Sequence, residues 1–239
     1  MLSAAPLAGA AENMANAIFL VAKQDMRDSR FRETVVLVTQ PREGGPWGVI
    51  VNKPLEMRLS EIFTDHEAMN KRKDVLFFGG PVMQESLVFL VRATKPPPRS
   101  VPVLKDVYFT GNVDWIDEQL KRPDPTRGLR VYAGYASWGE GQLQKELGRG
   151  DWLVVPADAA TVFDKDPALI WPELIQRAAT RPTANPRERG SAEERQSELS
   201  ISRSVALTIS RSHSILEASP LNSCAQGSPP WNSVAGPGG

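Results

Sequence analysis

Short runs of apolar residues recur along the chain as far as about residue 180. They occupy residues 18–21 (IFLV), 34–39 (TVVLVT), 47–51 (WGVIV), 75–78 (VLFF) and 87–91 (LVFLV). The series continues through 103–109 (VLKDVYF), 129–132 (LRVY) and 152–155 (WLVV). β-Branched and aromatic residues dominate these runs, and each is too short for a helix, so the pattern predicts strands. Several are apolar at consecutive positions, as in strands covered on both faces. Between the second and third runs lies PREGGP at 41–46, a cluster of turn formers that predicts a hairpin.

Helical signals are fewer. Asn112 is placed to cap a helix over 113–121, where Ile116 and Leu120 form an apolar i, i+4 pair and Pro123 ends the segment. Residues 141–147 (GQLQKEL) predict a short helix with Gly148 at its C-terminal turn. Asp166-Pro167 reads as a cap followed by proline in the first turn, and Pro172 then starts a second helix or kinks this one. Strands outnumber helices and do not alternate with them. The pattern therefore predicts an α+β domain over residues 17–180 rather than a doubly wound parallel sheet.

The two ends differ from this middle. Residues 1–16 are small and mildly apolar, and Ala8-Gly9-Ala10 has the A-x-A form of a signal-peptidase site without a basic segment before it. A flexible leader and the remnant of an export signal are the two readings of this stretch. Residues 181–239 contain 12 Ser, 6 Pro and 5 Gly among 59 residues, a composition that predicts a disordered tail. Only residues 201–216, with Val205, Leu207 and Ile209 on alternate positions, could add a strand.

Composition narrows the chemistry. Of the 239 residues 41 % are hydrophobic, so a core can form without staples. Lys plus Arg equals Asp plus Glu at 28 each, which gives no basic footprint and speaks against direct nucleic-acid binding or attachment to an anionic membrane. A single cysteine, Cys224, excludes an intrachain disulfide and multi-cysteine metal sites. With only His66 and His213, no metal or other cofactor is expected.

The candidate motifs each have a plain reading. Gly79-Gly80-Pro81 ends a strand as a phosphate loop would, but no Lys-Ser/Thr follows, so a tight turn is favoured. Asp65-His66-Glu67 has ligand-type side chains in a highly charged stretch and reads as a solvated loop or helix face. No G-x-S-x-G elbow is present. An enzyme acting on a small metabolite would have to use carboxylates such as Asp25, Asp28 or Asp114 as acid or base. The densest unusual segment is GYASWGEGQL at 134–143. Its glycines let backbone approach closely, while Tyr135 and Trp138 either form an exposed anchoring pair or fold inward over the sheet end.

Four blocks carry a resemblance. They are Phe19-Leu20-Val21-Ala22 through Asp28-Ser29-Arg30-Phe31 into Thr34-Val35-Val36-Leu37; Gly48-Val49-Ile50-Val51-Asn52-Lys53-Pro54; Phe78-Gly79-Gly80-Pro81-Val82; and Gly134-Tyr135-Ala136 through Trp138-Gly139, Gly141-Gln142-Leu143 and Glu146 to Trp152-Leu153 and Pro156-Ala157-Asp158. In order and spacing these blocks resemble the AlgH/YqgE family of bacterial proteins. The resemblance implies a bent, barrel-like sheet with short flanking helices and a cytoplasmic setting, with export as the alternative if Ala8-Gly9-Ala10 is a signal remnant. It also implies a proposed role in transcriptional regulation, but it brings no catalytic residues and no cofactor. Ser137 stands where the family commonly has glycine. The expected function is a non-enzymatic binding or regulatory protein with a protein or small-molecule partner. Its candidate contacts are Asn52, Gly79, Gly80, Gly134, Tyr135, Trp138 and Gln142.

Overall fold

The computed structural model of the chain describes residues 17–39 and 45–180. Residues 1–16, 40–44 and 181–239 lie outside the described residues, and with them the expected leader, part of the expected hairpin turn and the expected tail, including the stretch at 201–216 weighed as a strand.

Among the described residues ten strands form, where the sequence predicts eight. They are β1 (Ile18–Ala22), β2 (Val35–Thr39), β3 (Trp47–Ile50), β4 (Pro54–Arg58), β5 (Val75–Phe78), β6 (Val82–Arg92), β7 (Ser100–Leu104), β8 (Val107–Thr110), β9 (Leu129–Ser137) and β10 (Trp152–Pro156). The run at 103–109 proves to be the hairpin β7–β8, turning at Lys105-Asp106. There Asp106 adopts φ +58°, a left-handed conformation that aspartate tolerates better than most residues. β4, unsignalled by its PLEMR sequence, is exposed at all five residues. The strand order is β10-β1-β2-β3-β9-β6-β8-β7, with β4 on β5 and β5 on β9. Every pairing is antiparallel except β5–β9, so the sheet is mixed.

The sheet curls. Phe19 of β1 and Val103 of β7 stand near opposite ends of the strand order, yet both belong to one buried cluster with Leu37, Phe77, Leu90, Phe109 and Tyr132. This is a half-barrel whose concave face is filled by side chains. Alternation along the strands sends the other residues outward. Leu20, Val36 and Ile50 enter a second cluster, and Phe89, Val91 and Val131 a third. Strands buried on both faces follow, as their uninterrupted apolar runs predict.

Among the described residues five α-helices cover these faces: α1 (Leu59–Ile62), α2 (Val113–Leu120), α3 (Gln142–Arg149), α4 (Ala159–Phe163) and α5 (Pro167–Thr180). Asn112 caps α2 as expected, its Oδ1 accepting from the Trp115 N–H at 3.0 Å. α3 runs past Gly148 and is closed by Gly150 at φ +75°. α5 continues through Pro172 as one helix, and Asp166 Oδ1 accepts from the Ala168 N–H at 2.9 Å at its start. Ile170 and Leu174 of α5 seal the concave core, and the Trp171 indole donates to the Ala22 carbonyl at 2.7 Å. No helix among the described residues is long and apolar enough to cross a membrane.

β9 is the hub. β6 runs along one edge, while β5 and then β3 occupy the other. Tyr132 and Tyr135 both face the concave core although three residues apart, whereas a regular strand returns to one face every two. The extra residue is taken up at Gly134, which adopts φ +68° where β6 changes register between Val82 and Leu87.

Gly134→Ala is expected to lower the unfolding free energy by about 2–4 kcal/mol. A side chain in the left-handed region costs ~1–2 kcal/mol. A methyl there also meets the Val82 carbonyl oxygen at 2.6 Å, which adds an overpacking cost of ~1–3 kcal/mol. Gly141, at φ +66° with nothing within 4 Å of an added Cβ, isolates the backbone part. Gly141→Ala should therefore cost only about 1 kcal/mol. Urea denaturation of both variants checks this, and equal losses would mean that the crowding at Gly134 relaxes away.

Candidate functional site

The seven sequence candidates fall into three places. Asn52 follows β3 and is buried, 7 % exposed. Its Oδ1 accepts from the Val35 N–H at 2.8 Å and its Nδ2 donates to the Glu33 carbonyl at 2.9 Å. Glu33 is held at φ +53°, so one amide side chain stabilises a strained turn and starts β2.

Gly79, Gly80 and Gly134 meet where β3, β5 and β9 converge. The Gly79 N–H donates to the Ala133 carbonyl, and its own carbonyl accepts from the Ile50 N–H, both at 2.8 Å. An added Cβ on Gly79 would stand 2.2 Å from the Gly134 oxygen, and one on Gly80 2.3 Å from the Tyr135 carbonyl carbon. These glycines serve a backbone-on-backbone contact.

Tyr135, Trp138 and Gln142 form the third group, and here the exposed aromatic pair gives way to its inward alternative. Tyr135 is 2 % and Trp138 4 % exposed. They lie on opposite faces, Tyr135 in the concave core and Trp138 in the second cluster. The Tyr135 hydroxyl donates to the Met83 sulfur at 3.7 Å, and burial pushes its pKa up, so it stays protonated. The Trp138 indole donates to Glu146 Oε2 at 2.9 Å, and the Trp152 indole donates to the same oxygen at 2.9 Å. Gln142 Nε2 donates to Glu146 Oε1 at 2.9 Å, while its Oε1 accepts from the Gly139 N–H at 3.2 Å. Phe31 lies near both indoles, stacked at 6.5 Å from Trp138 and edge-on at 5.5 Å from Trp152. Glu146 thus joins the end of β9, α3 and β10. Its position four residues after Gln142 on a predicted helix was the one sequence hint of that role.

The acid–base candidates do not converge on a cleft. Asp25 is exposed in the β1–β2 connection, and Asp114 is exposed in the first turn of α2, where its charge complements the helix dipole. Asp28 caps the turn at Ser29–Phe31 and pairs with Arg30 at 2.7 Å, which holds its carboxyl below the usual range. His66 is not solvated as expected. Its side chain is 13 % exposed, with Nε2 3.2 Å from Asp117 Oδ1. Among the described residues no group of His, Cys, Asp or Glu could hold a metal ion. His213 and Cys224 lie outside them.

Residues 19–183 match a family described as AlgH-like. The chain belongs to the AlgH-like family. A UPF0301 protein of Methylococcus capsulatus is 34 % identical over 165 residues, covering 67 % of this chain and 87 % of the relative. A UPF0301 protein of Mycobacterium tuberculosis is 29 % identical over 178 residues, covering 72 % of this chain and 86 % of that one. The solution structure of the AlgH protein from Pseudomonas aeruginosa superposes with a TM-score of 0.56 at 25 % identity, over 80 % of this chain and all of that one. A Corynebacterium diphtheriae crystal structure at 23 % identity shares the fold, with a TM-score of 0.56 over 77 % of this chain and 92 % of its own. The curled sheet with short helices is therefore an AlgH-like fold, as the four sequence blocks imply.

Trp138→Ala is expected to lower stability by about 3–5 kcal/mol, the range for a buried tryptophan. Trp138→Phe keeps most of the ring but removes the donor to Glu146 and should cost about 1–2 kcal/mol. Chemical denaturation distinguishes this from a surface contact, whose loss would change stability by no more than about 0.5 kcal/mol.

Proposed function

We propose that this chain is a non-enzymatic binding protein and that a protein partner engages the face of β4. The observation that carries this reading is the exposure of all five β4 residues. Leu55 is 37 % and Met57 48 % exposed on a strand that hydrogen-bonds to β5 alone. Large apolar side chains kept at a surface favour contact with another macromolecule. Pro54, the charges of Glu56 and Arg58, and the irregular register against β5 guard this edge against indiscriminate strand pairing. Such a guarded edge suits a selective partner.

The carboxylates support the same reading, because many of them do structural work. Asp158 caps α4, Glu61 accepts from the Arg58 N–H before α1, and Asp74 accepts from Arg72 and Thr126. Of the sequence candidates, Gln142 is exposed, while Asn52, Tyr135 and Trp138 support the surface from beneath. A regulatory role of the kind the family resemblance implies would then act through a protein. With balanced charge, this chain lacks the electrostatic attraction that carries non-specific DNA affinity.

The Leu55→Ser/Met57→Ser double variant tests the proposal. Its thermal midpoint should match the wild type, since both side chains are already exposed. In affinity capture, a partner held by the wild type should be lost by the variant. Retention of that partner at equal affinity would remove β4 from the reading.

A further inference from the structure

One end of the half-barrel holds positive charge and a donor that no described residue answers. Tyr132 on β9 is fully buried, and its hydroxyl has no hydrogen-bond partner among the described residues. Burial raises its pKa, so the group keeps its proton and can only gain by finding an acceptor. Arg130 lies two residues earlier on the same face of β9, opposite Leu90 of β6, and Arg92 follows two residues after Leu90. The guanidinium carbons of Arg92 and Arg130 stand 4.8 Å and 5.8 Å from the centre of the Phe163 ring. That of Arg130 is also 5.7 Å from the centre of Phe77, the ring against which Tyr132 packs at 5.7 Å.

Two cations therefore share one ring, and a single carboxylate accompanies them. Asp164 pairs with Arg92 at 3.0 Å. Arg130 has no carboxylate partner among the described residues. It donates to the Phe163 carbonyl at 2.6 Å and, weakly, to the Leu129 carbonyl at 3.4 Å. A guanidinium carries five N–H donors, so several remain unused. A half-buried guanidinium without a carboxylate and, two residues along the same face of β9, an unanswered buried hydroxyl are each costly, and one ligand could satisfy both.

We propose that Arg130, Arg92 and the Tyr132 hydroxyl form a binding site for a small oxyanion, a carboxylate or a phosphate group. The planar fork of Arg130 presents paired donors to two oxygens of such a group. Arg92 adds charge from the solvent side, and the hydroxyl donates from within. This site is separate from β4 and does not depend on the reading given there.

Calorimetric titration of the full chain with inorganic phosphate, and separately with acetate, at ionic strength held constant with chloride, tests the proposal. Saturable binding of either anion is expected. The affinity should fall at least tenfold in Arg130→Met, which keeps the side-chain stem, and severalfold in Tyr132→Phe. The Tyr132→Phe variant should unfold in chloride at the wild-type temperature or above, because it loses only an unsatisfied hydroxyl, so its weaker binding would not reflect a damaged fold. Phosphate response without acetate response would assign the site to phosphate groups, and the reverse to carboxylates. A response to both anions no greater than that to chloride would overturn the proposal, as would equal affinity in the wild type and both variants.

Discussion

The structure depends on backbone touching backbone at the middle of β9. A strand ordinarily has one neighbour on each edge, yet β9 serves β6 on one side and two strands in succession on the other. The changeover from β5 to β3 requires the chain at Gly79-Gly80 to cross so close to Gly134 and Tyr135 that no Cβ fits. Removing three side chains lets the main-chain groups find partners there: the Gly79 N–H on Ala133 and its carbonyl on Ile50. Buried peptide groups must be paired, and at this crossing they are paired main chain to main chain.

Around this point the polar side chains act as fasteners. Asn52 closes the strained turn at Glu33, and Glu146 collects two indole donors and an amide, tying α3 to the sheet. Most residues that look chemically distinctive in the sequence are used in this way. Glycines, amides and aromatics are the vocabulary of recognition, but they are equally the vocabulary of a tightly crossed sheet. Which use applies depends on burial, and burial is a tertiary property.

That difference explains what was legible in the chain. The apolar runs located eight strand regions because strands buried on both faces have a strong local signature. The Asn112 and Asp166 caps were legible for the same reason, since a cap is a contact between near neighbours. β4 was not legible: PLEMR opens on proline, carries no β-branched or aromatic residue, and forms a strand because β5 offers an edge. The inward turn of Tyr135 and Trp138 onto opposite faces depends on a bulge whose need arises from β6, more than forty residues away in sequence. The charge cluster at Arg92 and Arg130 was hidden for a similar reason, because only pairing of β6 with β9 brings those arginines to one ring.

The pairing of β1 with β10 bears on how the molecule is made. Ile18 lies opposite Pro156 and Ala22 opposite Trp152, so β1 completes its second ladder only with β10. During synthesis the β1–β2 ladder must wait for more than a hundred further residues, on the order of ten seconds at cellular elongation rates. Throughout that interval an apolar strand edge at Phe19, Leu20 and Val21 stands open, and α5 has not yet emerged to cover the concave side. Such long-range closure is slow to nucleate. The nascent chain is therefore most exposed to aggregation just before β10 and α5 arrive, and engagement of a chaperone would matter most in that window.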